Sequence, residues 1–260
     1  MDQPLSEGRP SEAVGSLQRG LAVMETLAAH PGGLTLTETA EALGLTRAGA
    51  RRLLLTLAAS GYALQDGRRF RLTPRLLTVA RSWLQDAGPW AHAEPIMREL
   101  AGRLQEACSA AALSGGDVVY VARVPGRRIV SVALAVGSRL PAWCTSMGRV
   151  LLADLSPEAL AAHLAAADIR PLTPKSLTDR AALAAEIRRC GAQGYALVDE
   201  ELELGLRSIA APIRDRAGRT AAALNVSTQA SRFTPAEMEA EILPPLRAAA
   251  RRIEAYFALE

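Results

Sequence analysis

Between positions 35 and 69 lie side chains whose types and order suit gripping a polyanion: Thr35, Thr37, Thr46, Arg47, Arg51, Arg52, Arg68 and Arg69. Arginine pairs bidentately with a phosphate or with a guanine edge. Threonine at a helix start offers its hydroxyl, beside free backbone N–H groups, to a phosphate. Arg47 and Arg51 are four residues apart and so neighbour each other on a helix face. The chemistry implied is non-covalent recognition of a duplex, with no bond made or broken.

The elements that must hold these groups can be read from the stretch TLTETAEALGLTRAGARRLLLTLAASGYALQDGRRFRLT, residues 35–73. Thr37 is expected to cap a short helix that Gly44 closes, with Ala40 and Leu43 facing inward. Thr46 caps a second helix running to Ser60, with Ala50, Leu53, Leu54 and Leu57 inside and Arg47, Arg51 and Arg52 outside. Tyr62–Gln65 and Phe70–Thr73 read as paired strands turned by Asp66-Gly67, which places Arg68 and Arg69 at the tip. An earlier helix, capped by Ser16, is expected to turn Leu17, Leu21, Met24 and Leu27 inward before His30-Pro31-Gly32-Gly33 stops it. Residues 16–73 thus read as a winged helix-turn-helix for double-stranded DNA.

The totals support a basic reader on a near-neutral body. The chain has 260 residues and a net charge of only +3. Residues 16–75 nevertheless carry eight Arg against Glu25, Glu38, Glu41 and Asp66. Of the 30 basic residues, only Lys175 is lysine. Cys108, Cys144 and Cys190 are isolated, as are His30, His92 and His163. That spacing favours neither disulfides nor a metal site, and no cofactor is expected. No apolar run is long enough to span a membrane. Residues 1–15 read as a flexible arm rather than a signal peptide, so a cytoplasmic protein with no membrane partner is expected.

Residues 74–88 read as a linker helix, with Leu76, Leu77, Val79, Ala80, Trp83 and Leu84 on a wide apolar face suited to a dimer contact. Gly88-Pro89 marks the boundary of a second domain, 89–260, opening with a helix from Trp90 to Ala107. Strands are expected at Ser109–Leu113, Val118–Val124, Ile129–Leu134, Tyr195–Asp199, Ser208–Arg214 and Ala221–Ser227. Helices are expected from Thr145 to Leu155, Pro157 to Ala167, about 179 to 193, and Pro235 to Phe257. The class is α+β. In GSRLPAWCTSMGRVLLA, residues 137–153, the helix start Thr145-Ser146-Met147-Gly148 suits an anion such as a carboxylate. Ser208, Asn225 and Ser227 add small polar groups to apolar strands, as a pocket for a small organic acid requires; the alternative is that they only bond to nearby backbone. Cys144 and Ser146 have no neighbouring base, so no catalytic residue is assigned. The competing reading is a small-molecule enzyme of aromatic acid metabolism whose N-terminal helices serve association.

Along 16–257 the chain resembles the IclR family of bacterial transcription regulators. The resemblance is carried by SLQRGLAVMETLA, the helix-turn-helix stretch, GYALQDGRRFRLTPRLL, GSRLPAWCTSMGRVLLA and VDEELELGLRSIAAPIRD. It is strongest to the subgroup governing aromatic-acid breakdown through protocatechuate, 4-hydroxybenzoate and the β-ketoadipate pathway. It implies a winged helix joined by the linker helix to a GAF-like effector domain. It also implies homodimers or tetramers on palindromic promoter DNA, with RNA polymerase as a further partner. The family's pocket positions match Ile129, Val132, Leu140, Ser146, Met147, Leu206, Ser208, Asn225 and Ser227. Some members that bind small keto acids have serine at the position matching 225, so asparagine here allows a larger, different acid. Arg123 and Arg128 are both candidates for its carboxylate.

Overall fold

Thr35 does two jobs at the start of the N-terminal unit. With Leu34 it forms strand β1 (Leu34–Thr35), and it also caps helix α2 (Leu36–Ala42). Its hydroxyl accepts the N–H of Glu38 at 3.2 Å, and its own N–H donates to Glu38 Oε2 at 2.7 Å. This reciprocal capping box satisfies two donors that a helix start leaves orphaned. The cap expected at Thr37 therefore lies two residues earlier, because only Thr35 has a glutamate three residues on. Thr37 sits exposed in the first turn.

The computed structural model describes residues 14–84, 89–126 and 134–257. By its internal contacts the chain divides into two units, Met1–Ser82 and Trp83–Glu260.

In the first unit, α1 (Gly15–Ala28) packs with α2 and α3 (Arg47–Ala59), and β1 joins the hairpin of β2 (Ala63–Asp66) and β3 (Arg69–Leu72) in the order β1-β3-β2. Thr46 caps α3 by accepting the Gly49 N–H at 3.1 Å. Val23, Leu27, Leu34, Leu54, Ala63 and Phe70 form the core. The inward stripe expected on α1 is wrong in part: Leu17 and Leu21 are 61% and 50% exposed. At 100° per residue, α1 carries two apolar stripes, and the core takes Val23 and Leu27. Leu17, Leu21 and Met24 instead line an open groove with Leu53 and Leu57 of α3 and Leu76 and Val79 of α4 (Leu76–Leu84). The hairpin turn also shifts by one residue. Asp66 pairs with Arg69, so Gly67 and Arg68 form the two-residue loop, with Gly67 at the positive φ of 58° that such a turn needs.

The second unit is built on an antiparallel sheet of β4 (Ala107–Ser114), β5 (Asp117–Val124), β6 (Arg139–Pro141), β7 (Ala196–Asp199), β8 (Leu206–Arg214) and β9 (Thr220–Gln229). Its order is β6-β5-β4-β9-β8-β7. One face, with Ala110, Ile209, Ile213, Leu224 and Val226, packs against α5 (Pro89–Leu104) and the C-terminal helix. That helix starts at α9 (Pro235–Glu237), passes through a π turn at Met238–Ile242 and continues as α10 (Leu243–Phe257). The other face, with Ala111, Val118, Tyr120, Ala210 and Ala223, is covered by α6 (Ser146–Leu152), behind which lie α7 (Pro157–Ala166) and α8 (Arg180–Gln193). Burial on both faces explains why the central strands read as near-continuous apolar runs.

The α+β class agrees with the sequence reading. The first long helix ends at Leu104 rather than Ala107, because Ala107 already pairs with Ser227. Strands β1 and β6 were not expected; both are too short to show a period. The strand expected at Ile129–Leu134 lies outside the described residues except at Leu134. Where α6 starts, an alanine Cβ at Gly148 would come within 2.0 Å of the Ala142 carbonyl oxygen. Gly148→Ala is therefore expected to destabilise the protein by roughly 3 kcal/mol, the upper part of the overpacking range. An unchanged urea midpoint would contradict this.

Candidate functional site

On α3, Arg47, Arg51 and Arg52 are all exposed. Helix geometry puts Arg47 and Arg51 within about 40° of each other and Arg52 about 100° beyond Arg51. Arg52 borders the apolar groove of the first unit, so the three do not share one face. Among the described residues, none of Arg47, Arg51, Arg52 or Arg68 has an acidic partner. Arg69 does. It donates to the Gly33 carbonyl at 2.7 Å and pairs with Glu38 at 3.5 Å. The hydrogen bonds from the Thr35 backbone and hydroxyl, then the charge of Arg69, hold the Glu38 carboxyl below its ordinary range. The hydroxyls of Thr35 and Thr46 are engaged in caps, whereas among the described residues no side-chain hydrogen bond of Thr37 is seen. Arg71, beside this set, is paired with Asp66.

In the second unit a small cavity of about 40 Å³ lies between the sheet and the start of α6. Leu140, Thr145, Ser146, Met147, Leu206, Ser208, Asn225 and Ser227 all line it, while Ile129 and Val132 lie outside the described residues. Tyr120, Arg123, Leu134, Cys144, Val198 and Leu202 complete most of the wall. Arg128 also falls outside the described residues; among the described residues Arg123 is the cation that reaches the cavity.

Strand register explains the arrangement. Arg123 pairs with Ser109, and Ser109 pairs with Asn225, so these three form one row across β5, β4 and β9. The next row sets Ala107, Ser227, Ser208 and Val198 side by side. Tyr120 and Arg123, three residues apart, would ordinarily point to opposite faces. The register between β4 and β5 shifts between Ala110 and Ala111, which pair with Ala122 and Tyr120, so Val121 is the extra residue of a bulge. Such a bulge re-aims side chains, and both Tyr120 and Arg123 reach the cavity. Alternation alone could not have found Tyr120, because the bulge has no sequence signature here.

Arg123 Nη1 donates to Ser109 Oγ at 3.3 Å, and Asn225 Nδ2 donates to Ser227 Oγ at 3.0 Å. Ser146 Oγ and Asn225 Oδ1 are buried without a hydrogen-bond partner among the described residues. Burial pushes the Tyr120 hydroxyl up to about 12, against the opposing charge of Arg123. In α6, the buried Arg149 pairs with Glu201 at 2.7 Å and donates to the Trp143 carbonyl at 3.1 Å. Neither the conspicuous polar groups nor composition pointed to this pair.

Burial likewise pushes the thiols of Cys108, Cys144 and Cys190 up to about 12. Iodoacetamide at pH 8 is therefore expected to leave all three unlabelled in the native protein and to label all three after denaturation. Rapid native labelling of Cys144 would show the cavity thiol to be reactive. Among the described residues no group of three or more His, Cys, Asp or Glu could hold a metal ion, and no helix is long and apolar enough to cross a membrane.

Comparison with known proteins agrees with this two-part construction. Residues 16–67 match the IclR helix-turn-helix domain, and residues 83–255 match the bacterial transcriptional regulator IclR C-terminal domain. The chain is 44% identical to the Pca regulon regulatory protein of Pseudomonas putida, over 91% of this chain and 81% of that protein. It is 33% identical to the p-hydroxybenzoate hydroxylase transcriptional activator of Acinetobacter baylyi, over 95% and 93%. A crystal structure of an IclR homologue from Microbacterium hydrocarbonoxydans, complexed with 4-hydroxybenzoate, superimposes with a TM-score of 0.79 at 26% identity, covering 94% of this chain and 99% of that one. These curated relatives are regulators of transcription, which sets the enzyme alternative aside. Matched in both of its units, the chain belongs to the IclR family and is a DNA-binding transcriptional regulator.

Proposed function

We propose that this protein switches genes of aromatic-acid breakdown in response to a small organic acid bound in the sheet–helix cavity. The observation that carries the reading is a buried polar wall around Arg123 in a chain that also holds a winged helix. Names of the relatives support it: one governs the Pca regulon, another activates p-hydroxybenzoate hydroxylase, and a structural neighbour holds 4-hydroxybenzoate. In this reading Arg47, Arg51, Arg52, Arg68 and Arg69, with Thr35, Thr37 and Thr46, contact the duplex. Leu140, Thr145, Ser146, Met147, Leu206, Ser208, Asn225 and Ser227 contact the effector, together with Ile129 and Val132.

The size of the cavity supports a switch. An engineered apolar cavity that accepts benzene has a volume of roughly 150 Å³, well above the 40 Å³ here. An aromatic acid must therefore part walls such as Leu134, Leu140 and Leu202, and a ligand that binds an opened state better draws the protein towards it. We place the protein in the cytoplasm, with residues 16–73 as DNA head, 74–88 as linker and 89–260 as sensor. A homodimer or tetramer would bind palindromic promoter DNA and act on RNA polymerase there.

The test is a gel shift of the full chain on its own upstream DNA, with and without protocatechuate, 4-hydroxybenzoate and β-ketoadipate. A retarded band whose affinity changes with one of these acids is expected. A band indifferent to every acid would remove the effector reading while leaving DNA binding in place.

A further inference from the structure

The part of the cavity wall that carries Leu202 is built unlike its neighbours. Leu140, Met147, Val198, Ser208, Asn225 and Ser227 stand on paired strands or on α6. Leu202 hangs instead in residues 200–205, which belong to no strand or helix and follow the last rung of β7 on β8, Asp199 with Arg207. Both ends of this loop have a positive φ, 58° at Glu200 and 81° at Gly205. Glycine takes that conformation freely. A glutamate is held there only where its surroundings impose it.

The surroundings that impose it are residues 173–177. Thr173 Oγ1 donates to the Glu200 carbonyl and Ser176 Oγ to the Glu201 carbonyl, both at 2.7 Å. Lys175 Nζ pairs with Glu200 Oε1 at 2.6 Å and with Asp199 Oδ2 at 3.2 Å. Glu200 Oε2 accepts the Gly205 N–H at 2.8 Å, so one carboxylate joins the grip to both ends of the loop. The gripping segment is itself ordered, because Ser176 Oγ accepts the N–H groups of Leu172 and Thr173 at 3.0 and 2.9 Å.

Two unequal ties therefore hold the loop. The Arg149–Glu201 pair is buried and costly to break, and it tethers the loop through a flexible side chain. The Lys175 pair is half-exposed and weak, as are single hydroxyl bonds. With the weak grip open, Glu200 can leave the left-handed region. A few loop residues that absorb such a change in φ and ψ make a hinge, and turning at Glu200 and Gly205 carries Leu202 with it. We propose that residues 200–205 are a hinged gate of the cavity, and that Thr173, Lys175 and Ser176 are its latch, setting how fast a ligand enters and leaves. This rests on the cavity being the effector site and adds the route by which it fills. The latch closes over the empty and the filled cavity alike, so loosening it speeds entry and escape together.

The experiment compares the full-length protein with Lys175→Met and Thr173→Val, each checked for folding by its thermal midpoint. Stopped-flow tryptophan fluorescence follows whichever of protocatechuate, 4-hydroxybenzoate and β-ketoadipate binds; Trp143 adjoins the wall residue Cys144. In Lys175→Met both rate constants are expected to rise about fivefold, the weight of a half-exposed ion pair, while affinity changes by less than about twofold. Thr173→Val is expected to act in the same direction. Without any acid, hydrogen exchange is expected to quicken at the Glu200 and Gly205 N–H groups, which bond to the Leu206 carbonyl and to Glu200 Oε2, while β8 and β9 keep their protection. A merely structural role would raise escape alone and weaken binding. That result overturns the gate and leaves the effector site standing, as do unchanged rates in both variants or unchanged exchange at Glu200 and Gly205. Binding of none of the three acids to the unaltered protein would instead bring down the effector reading, and the gate with it.

Discussion

Alanine at both Arg47 and Arg51 is expected to weaken operator binding by about a hundredfold or more. Each bidentate contact to a base is worth roughly 1–3 kcal/mol of discrimination, and each phosphate contact adds about 0.9 to the slope of log affinity against log salt. The two guanidinium groups lie within about 40° on α3, exposed and without an acidic partner among the described residues. Arg69→Ala is expected to do less, because its guanidinium is already spent on the Gly33 carbonyl and Glu38. Fluorescence anisotropy across a salt series separates the two cases. A double variant with unchanged affinity and slope would mean that α3 does not enter the groove. A larger loss from Arg69→Ala than from the pair would move recognition to the wing.

The second large effect lies under α6. Arg149→Leu is expected to destabilise the protein by about 3–5 kcal/mol, because it leaves Glu201 charged in a poorly hydrated place. The side chains of Arg149 and Glu201 are 2% and 12% exposed, and Glu201 also accepts the Leu177 N–H at 3.0 Å. For a unit of this size, that corresponds to a fall in thermal midpoint on the order of 10 °C. Arg149→Leu combined with Glu201→Leu is expected to recover part of the loss, since a buried pair replaced whole by apolar groups is often near neutral. Thermal melts of the single and double variants decide the matter. A double variant no better than the single would show that the Trp143 carbonyl, left without its donor, is the larger cost.

Local signals stood plainly in the chain. The Thr46 cap, Gly44 and the apolar runs of β8 and β9 are fixed by local chemistry within a few residues, and they suffice for the α+β class and the winged helix. So does the basic character of residues 47–52, which owes nothing to packing. What a residue faces was settled only when distant strands met. Leu17 and Leu21 looked like core because α1 carries two apolar stripes, and only contact with α3 and β3 selects Val23 and Leu27. Arg69 looked free because Gly33 and Glu38 are remote in sequence. Tyr120 and Arg123 share a cavity because one extra residue in β5 breaks the two-residue alternation. That shift has no local cause in the residues themselves; it exists in the pairing of β4 with β5, and the polar row beside Asn225 exists only with it.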